Sequence, residues 1–284
     1  MNTRLLIFAL AVGFIVSSCR KDLKESIQSA EDNAQIENEF SSVYDAVSDF
    51  AAEDNRTGKT DDYILPSGAV VSFIDSSFTD GDGVHFTINY GPLNSGGSSK
   101  GILCKDGRYR AGKVGVLMSK RWSENGCEIV ISIPSSSEYY AGNGSNMYKI
   151  TGTKTITRTS ATSYSVVVAN ATMQRDNGTV SWQSQRTITL TKDAGIGWLN
   201  DEYEISGSAS GTNVNGDEFT VSTVTPLLKK LSLGCLSTFV SGTLKLENSN
   251  GKELLLNYDT FGNQACDKTA TVTYNGKSKN ITLW

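Results

Sequence analysis

The chain has 284 residues, of which 38% are hydrophobic and 20% charged, and its formal net charge is −4. This length can bury a sizeable core in one all-β domain or in two smaller domains. The acidic balance provides no basic field to recruit nucleic acid, and a single histidine leaves none of the usual zinc-binding spacings. With 27 glycines and only four prolines, the composition favours many strands joined by turns over a disordered stalk.

Residues 1–18 have the pattern of a secretory signal peptide. Arg4 is the only charge before an apolar run over residues 5–16, and the small residues Ser17 and Ser18 precede Cys19. The run is too short for a membrane-spanning helix, which needs about 20 apolar residues. The pattern therefore predicts that the chain is exported.

The segment Val16-Ser17-Ser18-Cys19 resembles the lipobox of bacterial lipoproteins. In that family the cysteine thiol receives a diacylglycerol, and the peptide is cut before the cysteine. The resemblance implies lipid attachment at Cys19 and a location at the outer membrane, facing the periplasm or the cell surface. Each buried methylene contributes about 0.8 kcal/mol, so several acyl chains anchor a protein stably. The alternative is an ordinary signal peptide cut nearby, with Cys19 a bystander.

Residues 19–62 are interpreted as a lipid-anchored leader, a helix and a polar break. Residues 20–25 are charged, and a helical period begins at Ser26 and continues to Asp54. Its apolar positions recur at steps of three and four residues, which places them on one helix face. These positions are Phe40, Val43, Tyr44, Val47 and Ala51. We expect this amphipathic helix to dock onto the β core, and the polar residues 53–62 to end it.

The remaining residues, 63–284, are interpreted as a β-rich body, because apolar and polar residues alternate in several segments. Residues 84–90, 187–191 and 269–274 alternate in this way, and every second residue of 151–159 is threonine. Such strands have one apolar and one wet face, as in an antiparallel sheet. Five pairs suit tight hairpins: Asp106-Gly107, Asn177-Gly178, Asn215-Gly216, Asn250-Gly251 and Asn275-Gly276. The predicted fold is an all-β antiparallel meander, forming a sandwich or a curved sheet, with one N-terminal helix.

Several short sequence segments resemble those of a known group of proteins. They are GRYRAGKVGV (107–116), YKITGTKTIT (148–157), YEISGSASGT (203–212) and YDTFGNQACDKTATVTYNGK (258–277), with AEDNAQIENEF (30–40) in the helix. Together they resemble a broad group of β-rich lipoproteins from Bacteroidota without an established activity. The resemblance implies architecture more than chemistry. Some lipoproteins of that phylum reach the cell surface through charged residues after the lipid cysteine. Arg20-Lys21-Asp22 is compatible with such a signal but lacks a second acidic residue.

Four of the five cysteines remain when Cys19 is set aside. In an exported protein they favour disulfides over a metal site. We predict a Cys235–Cys266 bridge, because the hairpin turning at Asn250-Gly251 returns its two ends to each other. The second predicted bridge is Cys104–Cys127, which also spans a short stretch.

Residues 107–113 have the GxxxxGK spacing of a phosphate-binding loop. That loop needs a serine or threonine next, followed by a helix, whereas Val114 and a strand-like segment follow here. We therefore expect no nucleotide binding, and we expect Arg108 and Arg110 on a solvated strand face.

No catalytic or metal site is predicted. His85 lies on a polar strand face, and no G-x-S-x-G elbow is present. Residues 80–83, DGDG, begin like a calcium loop, but position twelve is Gly91 instead of glutamate, so a hairpin turn is expected. A carboxylate cluster that could serve glycoside hydrolysis is interpreted as a soluble strand end; it comprises Asp201, Glu202 and Glu204.

Tyr139 and Tyr140 are the candidate ligand-binding residues, because aromatic rings at a loop can stack on sugars or contact proteins. Most tryptophans, among them Trp122, Trp182 and Trp198, are expected to pack in the core.

The function that follows is a non-catalytic cell-envelope lipoprotein with a binding or scaffolding role. Its expected partners are the membrane, through the lipid anchor, and a glycan or an envelope protein; no cofactor is expected. Three alternatives stay open. A glycan-binding adhesin predicts an exposed aromatic platform, a carrier of lipids or apolar ligands predicts a hydrophobic cleft, and an enzyme predicts a pocket of converging polar side chains.

Overall fold

A computed structural model of the chain describes residues 27–41, 68–93, 100–104, 106–194, 200–232, 234–236, 238–249 and 251–283. The predicted signal peptide, Cys19 and most of the predicted helix after Phe40 lie outside these residues. The described residues form one helix, α1 (27–41), and sixteen strands, and 56% of the structure is strand. The strands are β1 Val70–Asp75, β2 Val84–Asn89, β3 Ile102–Leu103, β4 Tyr109–Ala111, β5 Lys113–Met118, β6 Glu128–Ile133, β7 Tyr140–Gly142, β8 Met147–Arg158, β9 Ser163–Arg175, β10 Gly178–Lys192, β11 Glu202–Thr212, β12 Glu218–Lys230, β13 Ser241–Asn248, β14 Glu253–Asn257, β15 Thr269–Tyr274 and β16 Lys277–Thr282.

All of these strands belong to one antiparallel sheet with the order β1-β2-β5-β6-β8-β9-β10-β11-β12-β13-β14-β15-β16. A short branch leaves this path at β8, where β7 pairs with β8, β4 with β7 and β3 with β4. The sheet is not closed, because β1 and β16 lie at its two ends. The predicted all-β antiparallel fold with one helix is confirmed, and of the two predicted forms the single curved sheet is the one observed.

The alternation of the sequence gives the sheet two different faces. In β5 and β6 every second side chain is buried, and the same period continues through β8, β9 and β10. The buried residues form one apolar cluster that also contains Ile27, Ala30, Ile36 and Phe40 of α1. We call the face that contacts α1 the inner face, and the opposite face the outer face.

The outer face is polar because the alternate positions of the long strands are mostly threonine, serine and glutamine. In β8 these are the threonines at 151, 153, 155 and 157, which face away from the buried Ile150, Lys154 and Ile156. The predicted wet face of the sheet is therefore present, and hydroxyl groups cover much of it.

The turns follow the sequence signals. Four of the five predicted pairs lie where two consecutive, paired strands connect, and Gly178 is the first residue of β10. In the fifth pair, Asn250 lies outside the described residues. In the β15–β16 hairpin, Asn275 and Gly276 have φ values of 48° and 72°. Asparagine and glycine tolerate this left-handed region best, so the sequence specifies the turn.

Gly152 allows α1 to approach β8 closely. Its φ is +139°, the register of β8 with β9 shifts beside it, and a Cβ there would lie 3.0 Å from Cζ of Phe40. A side chain at this position would therefore meet both an unfavourable backbone conformation and the α1 ring.

Cys235 and Cys266 form a disulfide with their Cα atoms 4.9 Å apart. Cys235 lies in the connection between β12 and β13, and Cys266 lies between β14 and β15. The β13–β14 hairpin separates them and returns the chain, as the sequence predicts. In the described part of the chain, no helix has the length and apolar character needed to cross a membrane.

Candidate functional site

Two regular rows of polar side chains cross the outer face. In the first row Thr151 is opposite Thr172, Thr172 opposite Ser181, Ser181 opposite Thr212, and Thr212 opposite Glu218. The hydroxyl oxygens of Thr151 and Thr172 are 2.6 Å apart, and those of Ser181 and Thr212 are 2.7 Å apart. Because neighbouring strands lie about 4.8 Å apart, the row places five polar groups in a line across β8 to β12.

The second row is parallel to the first and lies two residues further along β10. Gln183 is opposite Ser210, Ser210 opposite Thr220, and Thr220 opposite Glu247. Nε2 of Gln183 donates to Oγ of Ser210 at 3.0 Å. Gln183, Thr220 and Glu247 are exposed, so their remaining donors and acceptors face solvent.

These rows line a shallow depression of about 710 Å³ that extends from β9 to β13. A second depression of about 580 Å³ continues it towards Gln185, Ser208 and Lys245. The two depressions share Gln183, Ser210, Thr220 and Glu247, and we call their union the outer groove. Hydroxyl and amide groups both donate and accept hydrogen bonds, whereas the carboxylates of Glu218 and Glu247 only accept. The groove is therefore suited to a neutral ligand that is rich in hydroxyl groups.

On the inner face, α1 packs against the apolar side of the sheet. The only charged residues of α1 are acidic, and three of them pair with arginines, two of which lie in β9 and β10. Oδ1 of Asp32 lies 2.6 Å from Nη1 of Arg175, and Oε1 of Glu37 lies 2.5 Å from Nη2 of Arg186. Oδ2 of Asp32 also accepts the backbone N–H of Val214 at 2.8 Å.

Lysines contact the C-terminal end of α1. Nζ of Lys154 donates to the carbonyl oxygen of Phe40 at 2.6 Å, and Nζ of Lys229 donates to Oγ of Ser41 at 3.1 Å. Cations at a helix C-terminus interact favourably with the exposed carbonyls and the helix dipole. In the middle of the helix, Nε1 of Trp182 donates to Oδ1 of Asn33 at 2.9 Å. Partners along its whole length thus fix the helix on the sheet.

The ion pairs of α1 are buried. Glu37 is 6% exposed, Arg186 5% and Asp32 0%. Nε and Nη1 of Arg186 have no hydrogen-bond partner among the residues that the structure describes. The hydroxyl of Tyr258 also has none, and burial, together with the nearby Glu37, raises the pKa of this tyrosine well above its usual value. Taking charges out of water costs several kcal/mol per ion, so each pair depends strongly on both partners.

Arg108 and Arg110 are buried, and the expectation of a solvated strand face is wrong. Arg108 forms an ion pair with Glu39 of α1. Nη1 of Arg110 donates to Oδ1 of Asp106 at 3.0 Å, and Nη2 donates to Oδ2 at 2.6 Å. Burial alone would lower the pKa of Arg110, but Asp106 raises it well above the usual value. The residues with the GxxxxGK spacing therefore form a β-turn, β4 and the start of β5. Their two arginines form buried ion pairs.

The prediction that Tyr139 and Tyr140 form an exposed pair is wrong for Tyr139. Its side chain is 0% exposed, its ring lies 6.1 Å from that of Tyr90, and burial raises its pKa. Tyr140 points to the other side and donates to Oε2 of Glu138 at 2.6 Å. The reason is strand geometry: consecutive side chains at the start of β7 point to opposite faces, so only one of the two can be exposed.

Tyr140 lines a separate depression of about 790 Å³ together with Pro92, Leu93, Lys113 and Ser137. Two of the predicted core tryptophans are in the described residues. Trp182 is buried, and Trp122 is half-buried and stacks on Tyr164 with ring centroids 5.1 Å apart. Trp198 lies outside the described residues. No tryptophan of the described residues therefore forms the exposed aromatic platform that the adhesin alternative predicts.

His85 lies close to the predicted turn at residues 80–83, because it is in β2 opposite Asp75 of the edge strand β1. Carboxylate oxygens of Asp75, Asp80 and Asp82 lie within 4.8 Å of one another at the β1–β2 turn, and a hydrogen bond with Asp80 is the main cause that raises the pKa of Asp82. The turn predicted for residues 80–83 is therefore present.

The acidic residues 201–204 each have a local structural role or face solvent. Asp201 is buried and accepts the backbone N–H of Ala194 at 2.9 Å, and burial raises its pKa. Glu202 pairs with Lys192 at 2.9 Å, whereas Glu204 is exposed. The expectation of a strand end, in place of a pair of catalytic carboxylates, agrees with these contacts.

The predicted Cys104–Cys127 bridge is wrong in this structure. Both residues are buried free thiols. Sγ of Cys127 donates to the carbonyl of Lys120 at 3.0 Å, and Sγ of Cys104 lies 3.7 Å from the carbonyl of Ile102. Cys104 follows β3 in the side branch, whereas Cys127 precedes β6 on the main path, so the short separation in sequence does not bring them together.

The sequence prediction missed the outer groove as a site. The signal was present in the alternating threonine and serine residues, but alternation does not show which rows of neighbouring strands align. Compared with known proteins, the chain matches no family model, no curated protein sequence and no solved structure. Function must therefore be argued from the chain's own residues.

Proposed function

We propose that this protein is a non-catalytic, lipid-anchored protein of the cell envelope that binds a hydroxyl-rich ligand, a glycan, in the outer groove. The observation that carries the proposal is the alignment of Gln183, Ser210 and Thr220 on the adjacent strands β10, β11 and β12, within the outer groove. The proposed position in the cell is the outer membrane, with Cys19 as the lipid attachment site.

The chemistry of the groove supports a neutral glycan over other ligands. Serine, threonine and glutamine side chains can exchange hydrogen bonds with sugar hydroxyls in both directions. The carboxylate of Glu218 would repel anionic sugars, nucleotides and nucleic acid, whereas that of Glu247 is paired with Lys245. The groove crosses about five strands, which at 4.8 Å per strand is long enough for several sugar units.

The covered inner face favours a glycan-binding protein over a carrier of apolar ligands. A carrier needs an open hydrophobic cleft, and α1 covers the apolar side of the sheet with contacts that reach from Asp32 to Phe40. The outer groove is open without any movement of α1. The open outer groove therefore supports a glycan-binding role more strongly than the covered inner face supports a carrier role.

The test is a binding titration with the mature chain carrying Cys19→Ala, so that only the lipid is missing. The probes are a panel of neutral polysaccharides and one anionic polysaccharide. We expect saturable binding of a neutral polysaccharide and weak or no binding of the anionic one. The double variant Gln183→Ala/Thr220→Val should bind at least about tenfold more weakly, because two hydrogen-bonding groups are lost.

The matched control is Thr187→Val, which changes an exposed residue of β10 on the same outer face but outside the groove. This variant should bind like the parent. Failure of the parent to bind any neutral polysaccharide, or equal binding by the groove variant, contradicts the proposal.

A further inference from the structure

Tyr140 lies on the outer face, the face that carries the outer groove. It is directly opposite Lys149 of β8, whose chain neighbour Ile150 is buried on the inner face. Tyr140 is half-buried and lines the depression of about 790 Å³, which Asn89 and Lys113 also line. These two residues alternate with buried residues in β2 and β5, so they too point outward. Outer-face side chains of three strands therefore meet in this depression.

Two hydrogen bonds through one carboxylate hold Tyr140 in place. The hydroxyl of Tyr140 donates to Oε2 of Glu138 at 2.6 Å, and Nζ of Lys149 donates to Oε1 of Glu138 at 2.8 Å. The Glu138 side chain is 70% exposed and that of Lys149 is 24% exposed, so this group of three residues lies at the surface. A ring that is already oriented loses little conformational freedom when a ligand binds to it.

A further row of polar side chains connects this depression with the outer groove. Lys149 is opposite Gln174 of β9, and Gln174 is opposite Thr179 of β10. Gln174 and Thr179 are both exposed. This row is parallel to the first row of the outer face and lies two residues from it along β8, β9 and β10. Tyr140 and the outer groove therefore lie on one continuous polar surface.

We propose that Tyr140 is a stacking subsite at one end of the outer groove, so that one neutral glycan lies across the sheet with a sugar ring on the tyrosine. This inference rests on the proposed function and adds the length of the ligand and an aromatic contact. Three strand spacings and four residues along β10 separate Tyr140 from Gln183, which is roughly 20 Å across the sheet. A disaccharide cannot span this distance. The ligand class is therefore a polysaccharide or a long oligosaccharide.

The residues around Tyr140 favour a sugar over a purely apolar ligand. The C–H groups on one face of a sugar pack against an aromatic ring, while its hydroxyls need hydrogen-bonding partners. Lys113 and Ser136 are exposed at the depression and can donate to these hydroxyls. Oδ1 of Asn89 accepts the N–H of Gly91 at 2.9 Å, so the side-chain nitrogen of Asn89 is the group that can donate to a ligand. An apolar ligand would cover these polar groups and leave them without partners, which is unfavourable.

The test is a binding titration of the mature chain carrying Cys19→Ala with dextran, galactomannan and xyloglucan, which are neutral, and with the disaccharide of each. The parent should bind one of these polysaccharides saturably and its disaccharide more weakly per site. Tyr140→Ala and Tyr140→Leu should bind the polysaccharide at least about fivefold more weakly, because the flat ring is lost. Tyr140→Phe keeps the ring and should bind within about twofold of the parent. Circular dichroism should show the same strand content in every variant.

The matched control is Phe261→Ala, which removes an aromatic ring that is 66% exposed and lines neither the outer groove nor the Tyr140 depression. It should bind like the parent. If Tyr140→Ala and Tyr140→Leu bind like the parent while Gln183→Ala/Thr220→Val binds weakly, this inference is wrong and the proposed function stands. An equal loss in Tyr140→Phe and Tyr140→Ala, or a disaccharide that binds as tightly as the polysaccharide, also overturns it. A parent that binds none of the three polysaccharides overturns both the inference and the proposed function.

Discussion

Replacing Glu37 by methionine should strongly destabilise the protein. The carboxylate of Glu37 lies 2.5 Å from Nη2 of Arg186, and both side chains are at most 6% exposed. Without the carboxylate, the guanidinium stays in the interior with Nε and Nη1 already lacking partners. A buried charge that loses its partner costs about 3–5 kcal/mol. Total stabilities are about 5–15 kcal/mol, so this is a large share.

The double variant Glu37→Met/Arg186→Met should recover most of this loss. It removes both charges and replaces them by apolar side chains of similar length, a change that is often neutral or stabilising. We expect its free energy of unfolding to lie within about 1 kcal/mol of the parent, or above it. The control is Glu31→Met on the same helix. Glu31 is partly exposed, and its oxygen lies 3.6 Å from Lys279, so its loss should cost less than about 1 kcal/mol.

The assay is urea unfolding followed by circular dichroism and by tryptophan fluorescence, to which Trp182 contributes from its position 6.1 Å from Phe40 of α1. The free energies of the parent, Glu37→Met, Arg186→Met and the double variant form a double-mutant cycle. A Glu37→Met variant as stable as Glu31→Met, or a double variant no more stable than the single, would refute the reasoning about the buried pair.

Three further predictions concern the cysteines. Cys19→Ala should lose labelled fatty acid during expression, and equal label on variant and parent contradicts lipid attachment. Cys104 and Cys127 should react with a thiol reagent slowly at neutral pH and quickly after unfolding, because burial raises the pKa of both thiols and keeps them protonated. Non-reducing digestion should link Cys235 to Cys266; a linked peptide joining Cys104 to Cys127 would contradict the structure.

The strands and turns could be predicted because their signals are local. The period of two around Val84–Tyr90 and the pairs such as Asn275-Gly276 depend only on nearby residues. The Cys235–Cys266 bridge also followed from a local feature, the hairpin between the two residues. The prediction failed where one position was judged without its neighbour, as at Tyr139 and Tyr140, which cannot both face solvent in a strand.

The environment of α1 could not be predicted, because its partners are far away in sequence. Asp32 and Arg175 are separated by 143 residues, and Glu37 and Arg186 by 149. The period of the segment indicated one apolar face, and polar residues elsewhere were expected to face water. In the structure most of the polar residues are also buried, because the inner face provides arginines, lysines and Trp182 as partners.

The burial of Arg108 could not be predicted either, because its partner is distant in sequence. An arginine on a strand usually faces solvent, and only the presence of Glu39 on α1 makes its burial favourable. The outer groove was also beyond prediction, because the register between β10, β11 and β12 decides which hydroxyl groups meet. The chemistry of single strands was visible in the sequence, whereas the pairing of distant elements was not.

Hydrogen exchange of α1 tests the account most directly, since the outer groove is favoured over the inner face only if α1 stays on the inner face and covers it. The measurement follows peptides from residues 27–41 in the mature chain by mass spectrometry. The account predicts that α1 amides exchange as slowly as those of β8, β9 and β10, because the helix opens only with the sheet. Exchange of α1 as rapid as in a frayed terminus would contradict it, and the inner face would then be open to ligands.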